Sequence, residues 1–442
     1  MGRAFVYVIL GGGVAAGYAA LEFTQRGVSR GELCIISEES VAPYERPALS
    51  KGYLVPEARV RLPSFHTCVG ANEERLTPKW YKEHEIELVL GTQVKSADVK
   101  RKTLLTAAGE TISYKILIVA TGAQALKLEE FGVSGSNAAN VCYLRDLADA
   151  NRLVDAMQSC PGGNAVVIGS GYTGMECAAC LVMNKLNVTM IFPEEHCMAR
   201  LFTAKMANYY KGFYKSKGVT FIKGTVLSSF DMDPNGKIPK DPSTLLQVIA
   251  VNLKDVTKLP ADMVVAGIGI RPNTSLFEGQ LTLEKGGIKV NGKMQSSNST
   301  VYAVGDVASF PLKLFGESRR LEHFYGDSVG EVVYYGDYSG STTGAYWVSM
   351  CHLVGAFLEG GTKDEYEAIA KATRLQPASE DIGELERQGL GFALAVSQNP
   401  LPSPSPSPPV DVTVSGLVLE KPIYALHAAA GVVLAASIAA FA

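Results

Sequence analysis

The chain has 442 residues, 47% of them apolar, and a formal net charge of −3. That length holds two or three domains with filled cores. The near-neutral balance provides no global field for nucleic acid or an anionic surface, so an anionic ligand must be drawn by a local cluster. Eight cysteines, with a single close pair at Cys177 and Cys180, suit free thiols in a reducing compartment, and no metal site is expected.

The apolar run at residues 5–10 is expected to form the first strand, with no secretory leader before it. Gly11, Gly12 and Gly13 follow, then Val14 and Ala15 open a helix-like stretch. Glycines at this point allow a tight turn and let main-chain N–H groups approach a pyrophosphate, while the helix directs its positive end at that phosphate. A second apolar run at 33–36 leads to Glu38 and Glu39, where a carboxylate accepts hydrogen bonds from a ribose hydroxyl. Residues 116–122 read as a buried strand ending in small residues, where the chain crosses close to a ligand.

The pattern then repeats. After the run 165–168 come Gly169, Ser170, Gly171, Tyr172, Thr173 and Gly174, with Met175 and Glu176 continuing the helix. Cys177 and Cys180 sit one turn apart in that helix and read as packing residues. The run 188–192 leads to Glu194, and a closing strand at 261–269 includes Gly267 and Gly269. The stretch 300–306, ending Gly305-Asp306, is a flavin-type closing motif whose carboxylate is suited to a ribityl chain. Two glycine turns in an ordinary α/β protein would be the plainer account, but each copy here follows a strand, opens a helix and has an acidic residue at a later strand end. The fold class is therefore α/β, with two Rossmann-like domains, the nicotinamide domain being inserted in the flavin domain. The expected boundaries are 1–148 and 271–323 for the flavin domain and 149–270 for the nicotinamide domain. An α+β domain at 324–396 carries strands at 332–335, 345–349 and 353–359 and helices at 364–374 and 379–388.

Residues 397–422 include NPLPSPSPSPP, an extended Pro/Ser linker. Residues 423–442 then run without a formal charge, and as a helix of about 30 Å they match a bilayer core. A C-terminal transmembrane anchor is expected there, with a soluble or partner-binding helix as the alternative.

The segment Ala42-Pro43-Tyr44-Glu45-Arg46-Pro47-Ala48-Leu49-Ser50-Lys51, taken with residues 11–20 and 192–202, closely resembles plant monodehydroascorbate reductases. The resemblance runs over about residues 5–395. It implies FAD in the first site, NADH in the second, and reduction of two monodehydroascorbate radicals to two ascorbates. Carried over by motif, the FAD contacts are Gly11, Gly12, Gly13, Val14, Ala15, Glu39, Arg46, Lys51, Val94, Arg145, Asp146 and Asp306. Arg46 and Lys51 make chemical sense, one cation balancing the pyrophosphate and the other reaching toward the flavin ring. The NADH contacts are Ser170, Gly171, Tyr172, Thr173, Gly174, Met175, Glu176, Glu194, Arg200, Gly269, Glu322 and His323. Glu194 disfavours a 2′-phosphate, with Arg200 opposing that preference. His323 is the one candidate for a catalytic role.

The chain departs from the family at one place. There, the family's Glu-His leads into a helix carrying an arginine, then a Tyr-x-Arg element, and only later Phe-Tyr-Gly-Asp. In this chain Glu322-His323 joins directly to Phe324-Tyr325-Gly326-Asp327. The absent segment holds both arginines that the family assigns to the radical and the tyrosine beside the flavin, so the resemblance implies that the α+β domain at 324–396 is shortened. The resemblance also implies a peroxisomal membrane anchor with the catalytic part facing the cytosol, the endoplasmic reticulum or cytosol being the alternatives. Two other readings stand beside the leading one: a ferredoxin or rubredoxin reductase of the same architecture, and a catalytically impaired, membrane-tethered FAD/NAD-binding protein.

Overall fold

The computed structural model describes residues 2–56, 74–233, 246–312, 317–320, 325–326, 330–337 and 342–398. The chain divides into two compact units between residues 321 and 322.

In the first unit, strand Arg3–Leu10 lies near the middle of a seven-stranded sheet, parallel to Leu33–Ile36 on one side and Thr111–Val119 on the other. Glu87–Val89 extends one edge, while Thr103–Thr106 and Val94–Asp98 add antiparallel strands on the other. Val301–Ala303 returns late in the chain to pair with the C-terminal half of Thr111–Val119. The apolar runs are near-continuous because both faces of the sheet are covered. Val8, Leu10, Cys34, Ile36, Leu117 and Val119 fill one core. The alternating Ile9, Leu33, Ile35 and Ile118 pack on the other face with Ala16, Ala20 and Leu21 of helix Val14–Gln25. Each such aliphatic side chain contributes roughly 1.5–3 kcal/mol by its burial.

The second sheet has five parallel strands in the order Thr220–Lys223, Asn187–Phe192, Asn164–Ile168, Met263–Ala266, Val141–Cys142. Val141–Cys142 hydrogen-bonds to Met263–Ala266, so this sheet begins ahead of the boundary expected at 148/149. A two-residue strand followed by the Arg145-Asp146 turn leaves no periodic signal. The chain crosses between the sheets at Ala123–Ala125 and returns at Ile270–Pro272, and the two crossings pair antiparallel. A three-stranded antiparallel sheet, Leu227–Met232, Val248–Leu253 and Lys258–Pro260, was not expected from the sequence.

The second unit carries a four-stranded antiparallel sheet in the order Tyr325–Gly326, His352–Glu359, Thr343–Ser349, Glu331–Gly336. The expected hairpin is present, turning at Met350 and Cys351, both at positive φ. Helices Lys363–Leu375 and Ile382–Gln388 match the expected pair, and a third, Leu390–Gln398, follows Gly389 directly. Tyr346, Leu353, Ile369 and Ala372 are fully buried, giving this unit its own core. The expected anchor at 423–442 and its linker lie outside the described residues, apart from residues 397–398. Among the described residues no helix is long and apolar enough to cross a membrane.

Candidate active site

Strand Arg3–Leu10 delivers Gly11 at φ +125, where an added Cβ would lie 2.1 Å from the Ala120 carbonyl oxygen. The turn therefore presses directly on the end of strand Thr111–Val119. Gly13 is the N-cap of helix Val14–Gln25, with no side-chain cap and no acidic residue in the first turn. The second fingerprint repeats this: Gly169 at φ +100 abuts the Gly267 carbonyl at 2.3 Å from an added Cβ, and Gly171 caps helix Tyr172–Met183 without a side-chain partner. An added Cβ at Gly171 meets nothing within 4 Å, and one at Gly13 meets only Arg46. Two helix N-termini with uncapped N–H groups and room before them fit two dinucleotide pyrophosphates.

Of the two acidic candidates after strand Leu33–Ile36, Glu38 points outward to Gln93, and Glu39 turns inward. Glu39 Oε1 accepts from Arg46 Nη2 at 2.5 Å, and Oε2 accepts from the Tyr44 hydroxyl at 2.7 Å and the Leu147 backbone N–H at 3.3 Å. Arg46 also donates to the Arg145 carbonyl at 3.1 Å and to the Tyr44 hydroxyl oxygen at 3.2 Å. Burial works against the Arg46 charge, but its partners, with the Glu39 carboxylate hydrogen-bonded to it, outweigh that and hold its pKa above the usual guanidinium value. Burial pushes the Tyr44 hydroxyl far up, so it stays protonated and donates. Glu39, Arg46 and Gly13 are thus brought together. Tyr44 was not singled out, although it lies within the quoted motif: a tyrosine in a ten-residue loop carries no periodicity to mark it.

Arg145 Nη2 pairs with Asp306 Oδ2 at 2.7 Å, and its Nε donates to the Ala123 carbonyl at 2.7 Å. This joins the closing motif to the crossover strand. Asp146 caps helix Leu147–Ser159 by accepting from the Asp149 N–H at 2.9 Å, which is a structural duty. Val94 contributes its side chain to the sheet core. Ala15 lies against Gly305 of the closing motif, 2.9 Å from where a Cβ would stand.

The segment after the first fingerprint meets the helix of the second at Lys51 and Glu176. Lys51 Nζ donates to Glu176 Oε2 at 2.7 Å, the Ser50 hydroxyl at 3.1 Å and the Pro47 carbonyl at 3.1 Å. All three ammonium hydrogens are therefore engaged within the chain, and what Lys51 offers a ligand here is its charge. The Glu176 side chain is 5% exposed and that of Lys51 14%. Ser50 Oγ donates to the same Glu176 oxygen at 2.5 Å.

Elsewhere in the second site, Ser170 and Met175 are buried, their carbonyls accepting from the Met198 N–H and the Tyr214 hydroxyl. Tyr172, Thr173 and Gly174 form the first turn of the helix, and an added Cβ at Gly174 would lie 2.1 Å from the Gly169 carbonyl oxygen. Gly269, at φ +124, accepts from the Leu126 N–H. Glu194 and Arg200 are both exposed beyond strand Asn187–Phe192, and neither side chain has a partner among the described residues. Glu322 and His323 lie outside the described residues. Cys177 and Cys180 are buried, and burial raises both thiols, Cys180 to about 12, so neither is a reactive thiolate at neutral pH.

Residues 5–326 match the family model of pyridine nucleotide-disulphide oxidoreductases, and residues 315–393 match that of the monodehydroascorbate reductase 3-like C-terminal domain. The chain is 64% identical to the peroxisomal monodehydroascorbate reductase 4 of Arabidopsis thaliana, over all of this chain and 98% of that protein. It is 60% identical to the peroxisomal monodehydroascorbate reductase 2 of Oryza sativa subsp. japonica, over all of this chain and 98% of that one. The alignment with the Arabidopsis protein spans 488 positions against 442 residues here, so at least 46 of its positions have no counterpart in this chain. Among solved structures, the covalent putidaredoxin reductase–putidaredoxin complex shares the fold at 24% identity and a TM-score of 0.74, covering 90% of this chain and 99% of that one.

Proposed function

This chain belongs to the monodehydroascorbate reductases, within the pyridine nucleotide-disulphide oxidoreductase family, and on that premise we propose that it is an FAD-dependent enzyme that oxidises NADH and reduces the monodehydroascorbate radical to ascorbate. Bound FAD supplies the chemistry that matches the two partners: it takes a two-electron hydride and returns electrons singly, so one NADH serves two radicals. The first glycine turn, with Glu39, Arg46 and Asp306, holds the FAD. The second, with Glu194 at the strand end, holds NADH and selects against a 2′-phosphate.

One observation carries the reading above all. Lys51, from the segment after the first fingerprint, shares a buried ion pair with Glu176 on the helix of the second. An enclosed charge pair that ties the segment after the first site to the helix of the second suits transfer between two bound rings with water excluded. Among the described residues the close cysteine pair, Cys177 and Cys180, is buried with both thiols raised, which argues against disulfide exchange as the onward step. The catalytic part faces the cytosol from the peroxisomal membrane, held by residues 423–442. Three relatives that align over this whole chain, tail included, carry peroxisomal names.

The test is NADH oxidation by the FAD-loaded chain, measured with the ascorbate radical generated in the cuvette and, separately, with ferredoxin and rubredoxin. Radical-dependent turnover above the other acceptors is expected. A preference for an iron–sulfur acceptor would instead assign the chain to the reductases whose fold it shares. A second reading, a nucleotide-binding form with impaired turnover, is favoured by the aligned positions this chain lacks. Little radical-dependent rate with normal FAD and NADH binding would establish it.

A further inference from the structure

Glu176, Cys180 and Asn184 stand at i, i+4 and i+8 on helix Tyr172–Met183 and its C-cap, and so share one face. All three reach the same short stretch of chain. Glu176 accepts from Ser50 and Lys51. The Cys180 thiol points to the Ser50 carbonyl at 3.3 Å. Asn184 Nδ2 donates to the Leu54 carbonyl at 2.9 Å and to the Cys180 carbonyl at 2.8 Å. On the far side of the stretch, the Tyr53 hydroxyl donates to Asn151 Oδ1 at 2.6 Å on helix Leu147–Ser159. Residues 50–54 are therefore laced along the helix that opens the second nucleotide site, and Lys51 is carried by that lacing.

We propose that Asn184 is a positioning residue: by holding Leu54 at the far end of the helix face, it fixes the register in which Lys51 meets Glu176 and hence where the lysine charge stands relative to the flavin. This rests on the reading of the first fingerprint as an FAD site. Asn184 lies eight residues, about 12 Å, from Glu176 along the helix and touches neither nucleotide-binding turn. Its amide is the polar side chain that ties this end of the stretch to the helix, and an alanine there keeps the helix but releases the carbonyl. A misplacement of about 1 Å at reacting groups lowers a transfer rate by up to roughly a hundredfold. A displaced cation also changes the electronic environment of a flavin ring.

The experiment compares FAD-loaded wild type with Asn184→Ala and Tyr53→Phe, the latter losing only a hydroxyl. In Asn184→Ala the visible spectrum of the bound flavin is expected to shift. The rate at which NADH bleaches the flavin should fall roughly tenfold or more, with the half-saturating NADH concentration unchanged. Tyr53→Phe should move both readouts the same way by less. A lowered melting temperature with unchanged spectrum and bleaching rate in both variants would make the contacts merely structural and overturn the proposal. A wild type that binds FAD but is not bleached by NADH would overturn the functional reading instead, and the spectral shift would still decide the role of Asn184.

Discussion

Glu176 and Lys51 form the most enclosed ion pair among the described residues, and their energetics follow from that enclosure. Removing one partner leaves the other charge buried and uncompensated, which costs about 3–5 kcal/mol. Glu176→Gln is therefore expected to lower the urea midpoint of the apoprotein substantially, although the substitution preserves shape. A midpoint within experimental scatter of wild type would mean that solvent reaches Lys51 and that the pair is not dry. Tyr44 makes a different case. Its hydroxyl orders Glu39 and Arg46 at once, and a hydrogen bond to a charged group contributes about 1.5–3 kcal/mol. Tyr44→Phe should weaken FAD binding by on the order of tenfold or more in a fluorescence titration of the apoprotein. Unchanged affinity would show that Arg46 and the Leu147 N–H hold Glu39 without help.

At the scale of elements, the two glycine-capped helices have the same design and different surroundings. Gly171 faces open space, whereas Gly13 faces Arg46, with its Nε 3.2 Å from an added Cβ. Gly171→Val should leave the fold and the flavin content intact and abolish NADH binding, because the new side chain occupies only the space a pyrophosphate needs. Gly13→Val should yield colourless protein, since it both fills the first cradle and displaces Arg46. Retention of NADH binding by Gly171→Val, measured by protein fluorescence quenching, would remove the second helix from the site. Gly11, Gly169 and Gly174 are poor sites for such tests, because a Cβ there would overlap a backbone carbonyl and disrupt the turn itself.

At the scale of the whole molecule, two segments decide behaviour beyond the cofactor domains. The radical is an anion and the chain carries a slight negative charge, so capture depends on local cations. Each bidentate arginine contact to an oxyanion contributes roughly 1.5–3 kcal/mol; on the reading that the family's two radical-binding arginines fall in the segment this chain lacks, their loss lowers affinity about a hundredfold or more. Inserting the family segment after His323 should therefore restore radical reduction well above the rate of this chain, while NADH-driven dye reduction changes little. Equal radical rates in both would show that the inserted arginines are dispensable. For the tail, an uncharged twenty-residue stretch should keep the protein in the pellet when membranes are extracted with alkaline carbonate. Release into the supernatant would refute insertion.

The sequence by itself determined the two glycine turns, their helices and the strands feeding them, because a turn that must admit a phosphate tolerates almost no other residues and local chemistry marks it. It also carried the return of the chain at Asp306 and the hairpin of the second unit, where alternation and turn residues agree. Partnership was decided only by tertiary structure. Nothing in the order of residues says that Glu39, rather than its neighbour Glu38, turns inward, since that depends on which face of the strand end meets Tyr44 and Arg46. Arg145 and Asp306 are 161 positions apart, and Lys51 and Glu176 are 125 apart. Such pairs exist because the second sheet is inserted in the first and the chain crosses twice between them, bringing distant charges together, half-buried for Arg145 and Asp306 and enclosed for Lys51 and Glu176.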